Sequence, residues 1–278
     1  MDPTVIRVFK SEHDYIGLSV ELLIETGSYV CIAGNIVPPS GDAWNRHEAV
    51  LVGHLVRLYK LISALLEQTC QHRRETSFIF ARLAFECIVN MMFLIKNDRS
   101  EITQSYVEHS MRHEKRLRDR TRANIAARGG EAWPIEERML TSIETSATKS
   151  GVDLDQISPP KNWAGKNLFE KAQEVGLAEA YLGAFGGPSH SVHGNWQDLL
   201  EYHLETEADG FTPNFGWHQP RTQLLTTTAL LTTITLNEYF SKIIGPAGSG
   251  VVEKLSDLRD RIQLLANLHE EFLASRMK

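Results

Sequence analysis

The stretch that decides the fold is residues 76–97, TSFIFARLAFECIVNMMFLIKN. Drawn as an α-helix, it is apolar on nearly every side, which is typical of a helix enclosed by other helices. Arg82, Glu86 and Asn90 interrupt the apolar surface at four-residue intervals and so form a polar stripe along one face. Charges among apolar neighbours are costly unless they are paired and hydrogen-bonded. The stripe is therefore interpreted either as a structural ion pair that holds helices together or as part of a cleft.

A membrane span is the first alternative for this helix. Its most apolar part, Phe78–Ile95, is barely long enough to cross a bilayer, and two charges near its centre would be costly in lipid. The N-terminus, Met1-Asp2-Pro3, lacks the basic and apolar regions of a secretory signal. These features predict the core helix of a soluble, cytoplasmic protein that does not contact a membrane.

The composition is that of an ordinary globular protein, with 42% apolar and 23% charged residues in a chain of 278. The net charge of −6 argues against a general nucleic-acid coat, although a local basic patch could still contact phosphate. Cys31, Cys70 and Cys87 are far apart and show no metal-binding spacing. They are predicted to be reduced residues of the core, as expected in a reducing compartment.

Helical periodicity continues on both sides of residues 76–97 and predicts an all-α, multi-helix bundle around a buried central helix, without a β-hairpin. Further helices are predicted at about 12–32, 42–70, 101–128, 134–151, 167–175, 188–205, 222–244 and 251–277. The expected organisation is a helical domain over 1–245, a short linker at 246–250 and a long C-terminal helix at 251–278. The apolar seam of that last helix suits packing on the domain, or contact with a protein partner or a second copy of the chain.

A second polar cluster follows Gly186-Gly187-Pro188. Proline fits the first turn of a helix, so Ser189, His190 and His193 are predicted near a helix N-terminus, where anions and neutral histidine are favoured. Ser189 and His193 are one turn apart and could cooperate in proton transfer or anion binding. Alternatively, His193 donates a hydrogen bond to a buried carboxylate, for which Glu86 is the candidate.

The two polar clusters together resemble a prokaryotic family. The segment RLAFECIVNMMFL at 82–94 is similar to the hallmark helix of domain of unknown function 5677. Further along, Trp163–Phe169, Tyr181 and the motif Ser189-x-x-x-His193-Gly194 resemble the second block of that family in order and spacing. The resemblance covers roughly residues 51–239. It implies a cytoplasmic helical bundle of prokaryotic origin, and it marks residues rather than a reaction because the family carries no established activity.

Other motifs add one candidate surface. His109 and His113 lack the glutamate placement of a zinc-binding HExxH helix, and neither a phosphate-binding loop nor a GxSxG elbow occurs, so no metal and no cofactor are predicted. The helix at 101–128 carries a run of basic side chains, interpreted either as a nucleic-acid contact or as a solvated face. Its candidates are Arg112, Lys115, Arg116, Arg118 and Arg122.

Two functional hypotheses follow. In the first, the chain is a non-catalytic module that binds a ligand, or binds a protein partner through the C-terminal helix or the aromatic loop 211–217. The polar stripe is then a buried network that sets helix register. In the second, it is a ribonuclease-like enzyme of the toxin or phage-defence kind, in which Arg82 steadies phosphate charge and His193 acts as acid or base. The catalytic candidates are Arg82, Glu86 and His193, supported by Asn90, Ser189 and His190.

Overall fold

A computed structural model of the chain describes residues 1–36, 44–158 and 161–276. Within them the protein is mostly α-helical, which confirms the all-α prediction. Internal contacts divide the chain into two units, Met1–Lys96 with Lys171–Lys278, and Asn97–Glu170. The boundaries predicted at residues 245 and 251 stay a prediction. The predicted helix start at 42 and the helix end at 277 lie outside the described residues.

The helices, in chain order, are α1 (Pro3–Ile6), α2 (Glu12–Asn35), α3 (Arg46–Cys70), α4 (Arg74–Lys96), α5 (Ser100–Ala127), α6 (Pro134–Ser150), α7 (Leu168–Glu174), α8 (Ala178–Tyr181), α9 (Ser189–His193), α10 (Trp196–Asp198), α11 (Thr222–Tyr239) and α12 (Ser249–Arg276). Short π-helical segments occupy Leu182–Gly186, Leu199–His203 and Phe240–Ile244, and 3-10 turns occupy Trp163–Gly165 and Gly245–Gly248. The strands β1 (Leu204–Glu207) and β2 (Gly210–Pro213) form an antiparallel hairpin.

Five long helices build the core of the first unit. α4 packs against α3 and α11, and α2 packs against α3, α11 and α12. α2 and α3 each begin at a capping box, Ser11 with Asp14 and Asn45 with Glu48, whose side chains satisfy backbone N–H groups at the helix start. The apolar positions of α3 at three- and four-residue intervals are all buried, as its periodicity predicts. They are Leu51, Leu55, Leu58, Ile62 and Leu65.

The central helix is α4, and its bounds agree with the predicted 76–97 to within two residues. It contacts α11, a helix rich in threonine. The hydroxyls of Thr228, Thr233 and Thr235 donate to the carbonyl four residues earlier in α11. This local hydrogen bond lets a threonine be buried without a distant partner, so α11 can lie inside the bundle despite its polar composition.

The C-terminal helix packs on its own unit. Leu255, Leu258, Ile262 and Leu265 of the predicted seam are buried, and α12 contacts α11 and α2. Residues 246–250, predicted as a linker, lie in the 3-10 turn and at the start of α12. A partner or second copy bound through residues 251–278 would therefore have to use the polar face of α12, and that contact stays a prediction.

The segment 188–205 departs from the prediction of one continuous helix. Gly194 adopts a left-handed conformation (φ 56°) that ends α9 after five residues, and Asn195 caps the separate helix α10. The prediction that no hairpin forms is also wrong. β1 and β2 are joined by the two-residue turn Ala208-Asp209, followed by Gly210 at φ 151°, a conformation that favours glycine. An Asp-Gly pair is a common hairpin signal when it occupies the two turn positions, but here the turn residues are Ala208 and Asp209, and Gly210 is the first residue of β2.

The second unit has a small core of its own, shared by α5, α6 and the residues that follow α6. Its buried members are Met111, Ile143, Ala147, Val152, Leu154 and Ile157. Gly151 ends α6 in a left-handed conformation, close to the predicted end of that helix. Pro134 begins α6, as predicted from its fixed φ.

Within the described ranges, three helices, α2, α3 and α4, are long and apolar enough to cross a membrane by length and composition, whereas the sequence analysis considered only α4 as a span. In the structure, between 39% and 56% of each apolar window is buried inside the protein. The absence of membrane contact and the cytoplasmic location stay predictions.

The three cysteines are free, but they differ in burial. Cys87 is buried in α4, as predicted, and Cys31 is half-buried. The prediction of a core residue is wrong for Cys70, which is exposed at the last position of α3, where the helix ends in a turn.

Candidate functional site

The polar stripe of α4 lies at the border between core and solvent. Arg82, Glu86 and Asn90 are all half-buried, while neighbours such as Ala84 and Phe85 are fully enclosed. Among the described residues, Arg82 and Glu86 do not form the intrahelical ion pair that their spacing allows. Arg82 Nε instead donates a hydrogen bond of 3.0 Å to Ser189 Oγ.

An aromatic group holds Arg82 in place. Its guanidinium carbon lies 4.2 Å from the centre of the Phe185 ring, a cation–π contact. Phe185 packs on Tyr181 with ring centres 4.9 Å apart and lies 6.3 Å from Phe85. Ser189 Oγ in turn donates to the carbonyl of Phe185 at 2.5 Å. These contacts fix residues 181–189 against α4.

The structure brings only part of the predicted two-part site together. Arg82 and Ser189 meet, but His193 is exposed, and its side chain makes no hydrogen bond or ion pair with Glu86 or any other described residue. His190 is half-buried, and the Asn195 side-chain amide contacts its Nδ1. Within the described part of the chain, no group of three histidine, cysteine or carboxylate side chains could hold a metal ion.

A cleft of about 420 Å³ opens beside this cluster, between α4, residues 180–184 and α11. Its apolar wall consists of Phe78, Ala81, Phe85, Ile88, Leu224 and Leu231. Ala180, Gly183 and Ala184 line the opposite side, where two methyl groups and the absence of a side chain at Gly183 leave the space open. The polar groups among its described lining residues are Arg221, Gln223, Thr227 and Thr228. An apolar volume with a few polar groups at one side is the usual form of a small-molecule site.

Two other cavities are less suited to a small ligand. For one of about 580 Å³, the described lining residues all lie within 140–149 of α6, on the surface of the second unit. Another of about 450 Å³ lies along α1 and the start of α2. The cleft beside Arg82 is walled by three separate elements of the first unit, and we therefore take it as the candidate site.

Arg221 is an exposed group of the cleft and, among the described residues that line it, the one cation. Its side chain is 55% exposed, and Nη2 lies 3.4 Å from a carboxylate oxygen of Glu201. Glu201 also accepts a 2.8 Å hydrogen bond from the Tyr202 hydroxyl. Burial, and then this contact with Glu201, raise the pKa of Tyr202 to about 12. Tyr202 is therefore neutral near neutral pH and can act as a donor.

The start of α4 anchors the chain that leads into α11. Glu75, buried, contacts His218 Nδ1 at 3.1 Å. Arg74 donates from its backbone N–H to the His218 carbonyl and from Nε to the Gln219 carbonyl. These contacts precede Arg221 directly and set its position at the cleft. The sequence pattern did not single out Arg74 or Glu75, because their partners Gln219 and His218 lie more than a hundred positions away. It also did not single out Arg221, which becomes a site residue only because the fold places it at the cleft.

The basic side chains of α5 are largely engaged within the second unit. Arg118 is 4% exposed and pairs through Nη2 with Asp155 at 2.5 Å and Asp119 at 2.9 Å. The hydrogen bond from Arg118 lowers the pKa of Asp155. The other contacts are Arg122 with Glu144 at 2.9 Å, Lys115 with the Ile157 carbonyl at 2.9 Å and Arg112 with the Lys161 carbonyl at 3.4 Å. Arg116 is exposed. Nucleic-acid contact through this helix stays a prediction.

A known protein family matches the segment that contains both polar clusters. Residues 48–211 match the model of a family of unknown function, DUF5677. The chain belongs to this family. The resemblance inferred from the two polar clusters is thus confirmed, although the match ends at 211 rather than near 239. No curated protein and no solved structure matches the chain.

The DUF5677 match divides the candidate site. It contains the Arg82 cluster, Ser189 and His193, together with the α4 wall of the cleft and residues 180–184. It does not contain Arg221 or the α11 wall. The polar end of the cleft is therefore supplied by the part of the chain beyond the matched segment.

Proposed function

We propose that this DUF5677 protein is a helical ligand-binding module whose cleft takes a small amphipathic anion. The observation that supports this proposal is the cleft itself. Its wall on α4 and α11 is aromatic and aliphatic, and its polar groups include the exposed cation Arg221. Its volume of about 420 Å³ lies in the range of small-molecule sites, roughly 300–1,000 Å³. The apolar body of the ligand packs against Phe78, Phe85 and Leu231.

The charge of the ligand is inferred from Arg221. Its contact with Glu201 is long and solvent-exposed, and a pair of this kind contributes little to stability. A carboxylate, sulfonate or phosphate group can therefore replace Glu201 without a large penalty. Arginine suits this role because its planar fork can hold two oxygens of such a group at once.

The test uses anilinonaphthalene sulfonate, a probe with an aromatic body and one anionic group. We expect one probe to bind per chain, with increased fluorescence. Arg221→Gln should weaken binding about tenfold, because a charge-assisted hydrogen bond is worth about 1.5–3 kcal/mol. The measurement is an equilibrium fluorescence titration of the two proteins.

The matched control is Arg138→Gln, which removes the same charge from an exposed position of the second unit. It should leave the dissociation constant unchanged. Failure of the wild-type protein to bind the probe would contradict the proposal. So would equal losses of affinity in the Arg221 and Arg138 variants.

A second candidate function is the ribonuclease-like activity, and one observation favours it. Arg82 donates from Nε to Ser189 and its guanidinium lies over the Phe185 ring, while its two Nη atoms make no hydrogen bond to a described residue. Those atoms are suited to bind a phosphate, and His193 is one turn from Ser189 and exposed to solvent. In this function Arg82 binds the phosphate and His193 transfers a proton.

The prediction for this second candidate concerns single-stranded RNA as substrate. His193→Gln should lower the cleavage rate by about a hundredfold or more, the usual contribution of an acid–base group, and leave the thermal midpoint unchanged because His193 is exposed. His113→Gln, also at an exposed position, is the control. The absence of cleavage by the wild-type protein, or equal rates in the two variants, rules this function out.

A further inference from the structure

Residues 196–220 form the most one-sided stretch of charge in the chain. They contain five carboxylates and neither lysine nor arginine. Aromatic side chains in the same stretch are unusually exposed: 58% for Trp196, 50% for Phe211, 91% for Phe215 and 56% for Trp217. Large exposed apolar groups beside a charged surface mark interaction sites. The hairpin and Trp196 within this stretch do not line the cleft and belong to neither function proposed above.

Neither face of the hairpin at the centre of this stretch is buried. All four residues of each strand are exposed except Leu204 and Gly210, which are half-buried. Opposite pairs are Leu204 with Pro213, Glu205 with Thr212, Thr206 with Phe211, and Glu207 with Gly210. An isolated two-stranded hairpin is only marginally stable in water, so a third strand would stabilise it.

The two edges of the hairpin differ in their capacity to accept a strand. Asn214 N–H donates to the His203 carbonyl at 2.9 Å, so these two residues form a hydrogen-bonded pair. Hydrogen-bonded and non-hydrogen-bonded pairs alternate along an antiparallel ladder, so Glu205 with Thr212 is hydrogen-bonded and Thr206 with Phe211 is not. The N–H and C=O of Thr206 therefore point outward from β1. On β2, Pro213 has no N–H and blunts the edge. The edge of β1 is the one open to an added strand.

The two faces of the hairpin differ in chemistry. Glu205 and Glu207 lie on one face, because side chains alternate along a strand. Phe211 lies on the other, opposite Thr206, and the Trp196 ring packs edge-on against it at 5.5 Å. A strand added beside β1 would place every second side chain next to the carboxylates and the others next to the aromatic rings.

We infer that β1 binds an extended polypeptide segment in which basic and apolar side chains alternate. Backbone hydrogen bonds to Thr206 supply the pairing, Glu205 and Glu207 receive the basic side chains, and Phe211 with Trp196 receives the apolar ones. The negative charge of the hairpin favours a basic peptide over the other possible partners. A second copy of the chain would bring its own Glu205 and Glu207 against the same carboxylates, which is unfavourable. Nucleic acid would be repelled by the same carboxylates.

The test compares three peptides of equal length on the full chain by isothermal titration calorimetry. One alternates lysine with valine, one alternates glutamate with valine, and one has the composition of the first arranged as a lysine block followed by a valine block. We expect the alternating lysine peptide to bind at least about tenfold more tightly than the block peptide, because only it matches the period of the strand. The glutamate peptide should not bind.

Two variants locate the site. Thr206→Pro removes an outward N–H without removing a bond between β1 and β2, and it should weaken the lysine peptide at least about tenfold. Glu205→Lys with Glu207→Lys should weaken it by a similar factor and create binding of the glutamate peptide. The matched control, Glu137→Lys with Glu253→Lys, makes the same change of charge at two exposed positions elsewhere.

Several results would overturn the inference. They are failure of the wild-type chain to bind the lysine peptide, equal binding of the block peptide, and equal losses in the control variant. Dimerisation in sedimentation that is abolished by Thr206→Pro would replace the basic partner with a second copy. Circular dichroism checks the fold of each variant. If Thr206→Pro unfolds the hairpin, the inference is tested by the double lysine variant alone, which should bind the glutamate peptide in preference to the lysine peptide.

Discussion

Acidification from neutral pH to about pH 4.5 should lower the free energy of unfolding by about 2 kcal/mol through a single buried histidine, His54. The imidazole is 6% exposed in α3, and its Nδ1 lies 3.3 Å from Cys87 Sγ. Burial, and then the charge of Arg57, lower the pKa of His54 from 6.5 to about 4. The same burial raises the pKa of the Cys87 thiol to about 12.

The direction follows from proton binding. Below pH 6.5 the unfolded chain protonates His54, whereas the folded chain keeps it neutral until about pH 4. The unfolded state thus binds more protons in this window, so stability is present above it and is lost as the pH falls through it. The measurement is chemical denaturation followed by circular dichroism at several pH values between these limits.

Other ionisable groups also contribute to this pH dependence. The quantity compared between the wild-type protein and each variant is therefore the fall in the free energy of unfolding between pH 7 and pH 4.5. His54→Gln should remove about 2 kcal/mol of the fall between pH 7 and pH 4.5, whatever its own stability at neutral pH. His113→Gln replaces an exposed histidine and should keep the wild-type fall. Parallel curves for the wild-type protein and the His54 variant would show that His54 is not held neutral by burial.

Filling the cleft should abolish ligand binding. Ala180 and Ala184 both line its open side, and Ala180→Leu with Ala184→Phe would occupy the space facing Phe85. We expect the affinity for anilinonaphthalene sulfonate to fall by at least about tenfold, equivalent to about 1.4 kcal/mol. The physical reason is that the probe can no longer displace water from the aromatic wall.

The control for this variant is Ala123→Leu with Ala127→Phe, which places the same side chains at the same spacing on the exposed face of α5. It should bind the probe as the wild-type protein does. The comparison is valid if both variants keep the thermal midpoint of the wild-type protein. Undiminished binding by the filled variant would mean that the probe binds elsewhere on the protein.

The central helix could be predicted closely because its signal is local. The apolar surface of residues 78–95, interrupted only by the polar stripe, determines both the helical state of this segment and its enclosure. The buried seam of α12 was visible for the same reason. The break at Gly194 and the hairpin at Ala208-Asp209 were not foreseen, since each depends on one or two residues that override the preference of their neighbours.

The site could be predicted only in part. Arg82 and Ser189 meet as their shared polarity suggests, but the Arg82–Glu86 pair does not form because Ser189 and Phe185 hold the guanidinium. Periodicity shows the face of a helix and not its partner. The cleft exists because Ala180, Gly183 and Ala184 are small where they face α4, and this depends on tertiary packing. The pairing of Arg118 with Asp155 also depends on tertiary packing, so it could not be predicted from the sequence.

The most direct measurement is the location of the bound probe by methyl nuclear magnetic resonance. If the cleft is the binding site, anilinonaphthalene sulfonate should shift the methyl signals of Ile88, Leu224 and Leu231, which line it. Signals of Val5 and Leu18, which line the cavity along α1, should stay in place, as should that of Leu140 in the groove of α6. Shifts confined to Val5, Leu18 or Leu140 would contradict the assignment of the cleft as the ligand site.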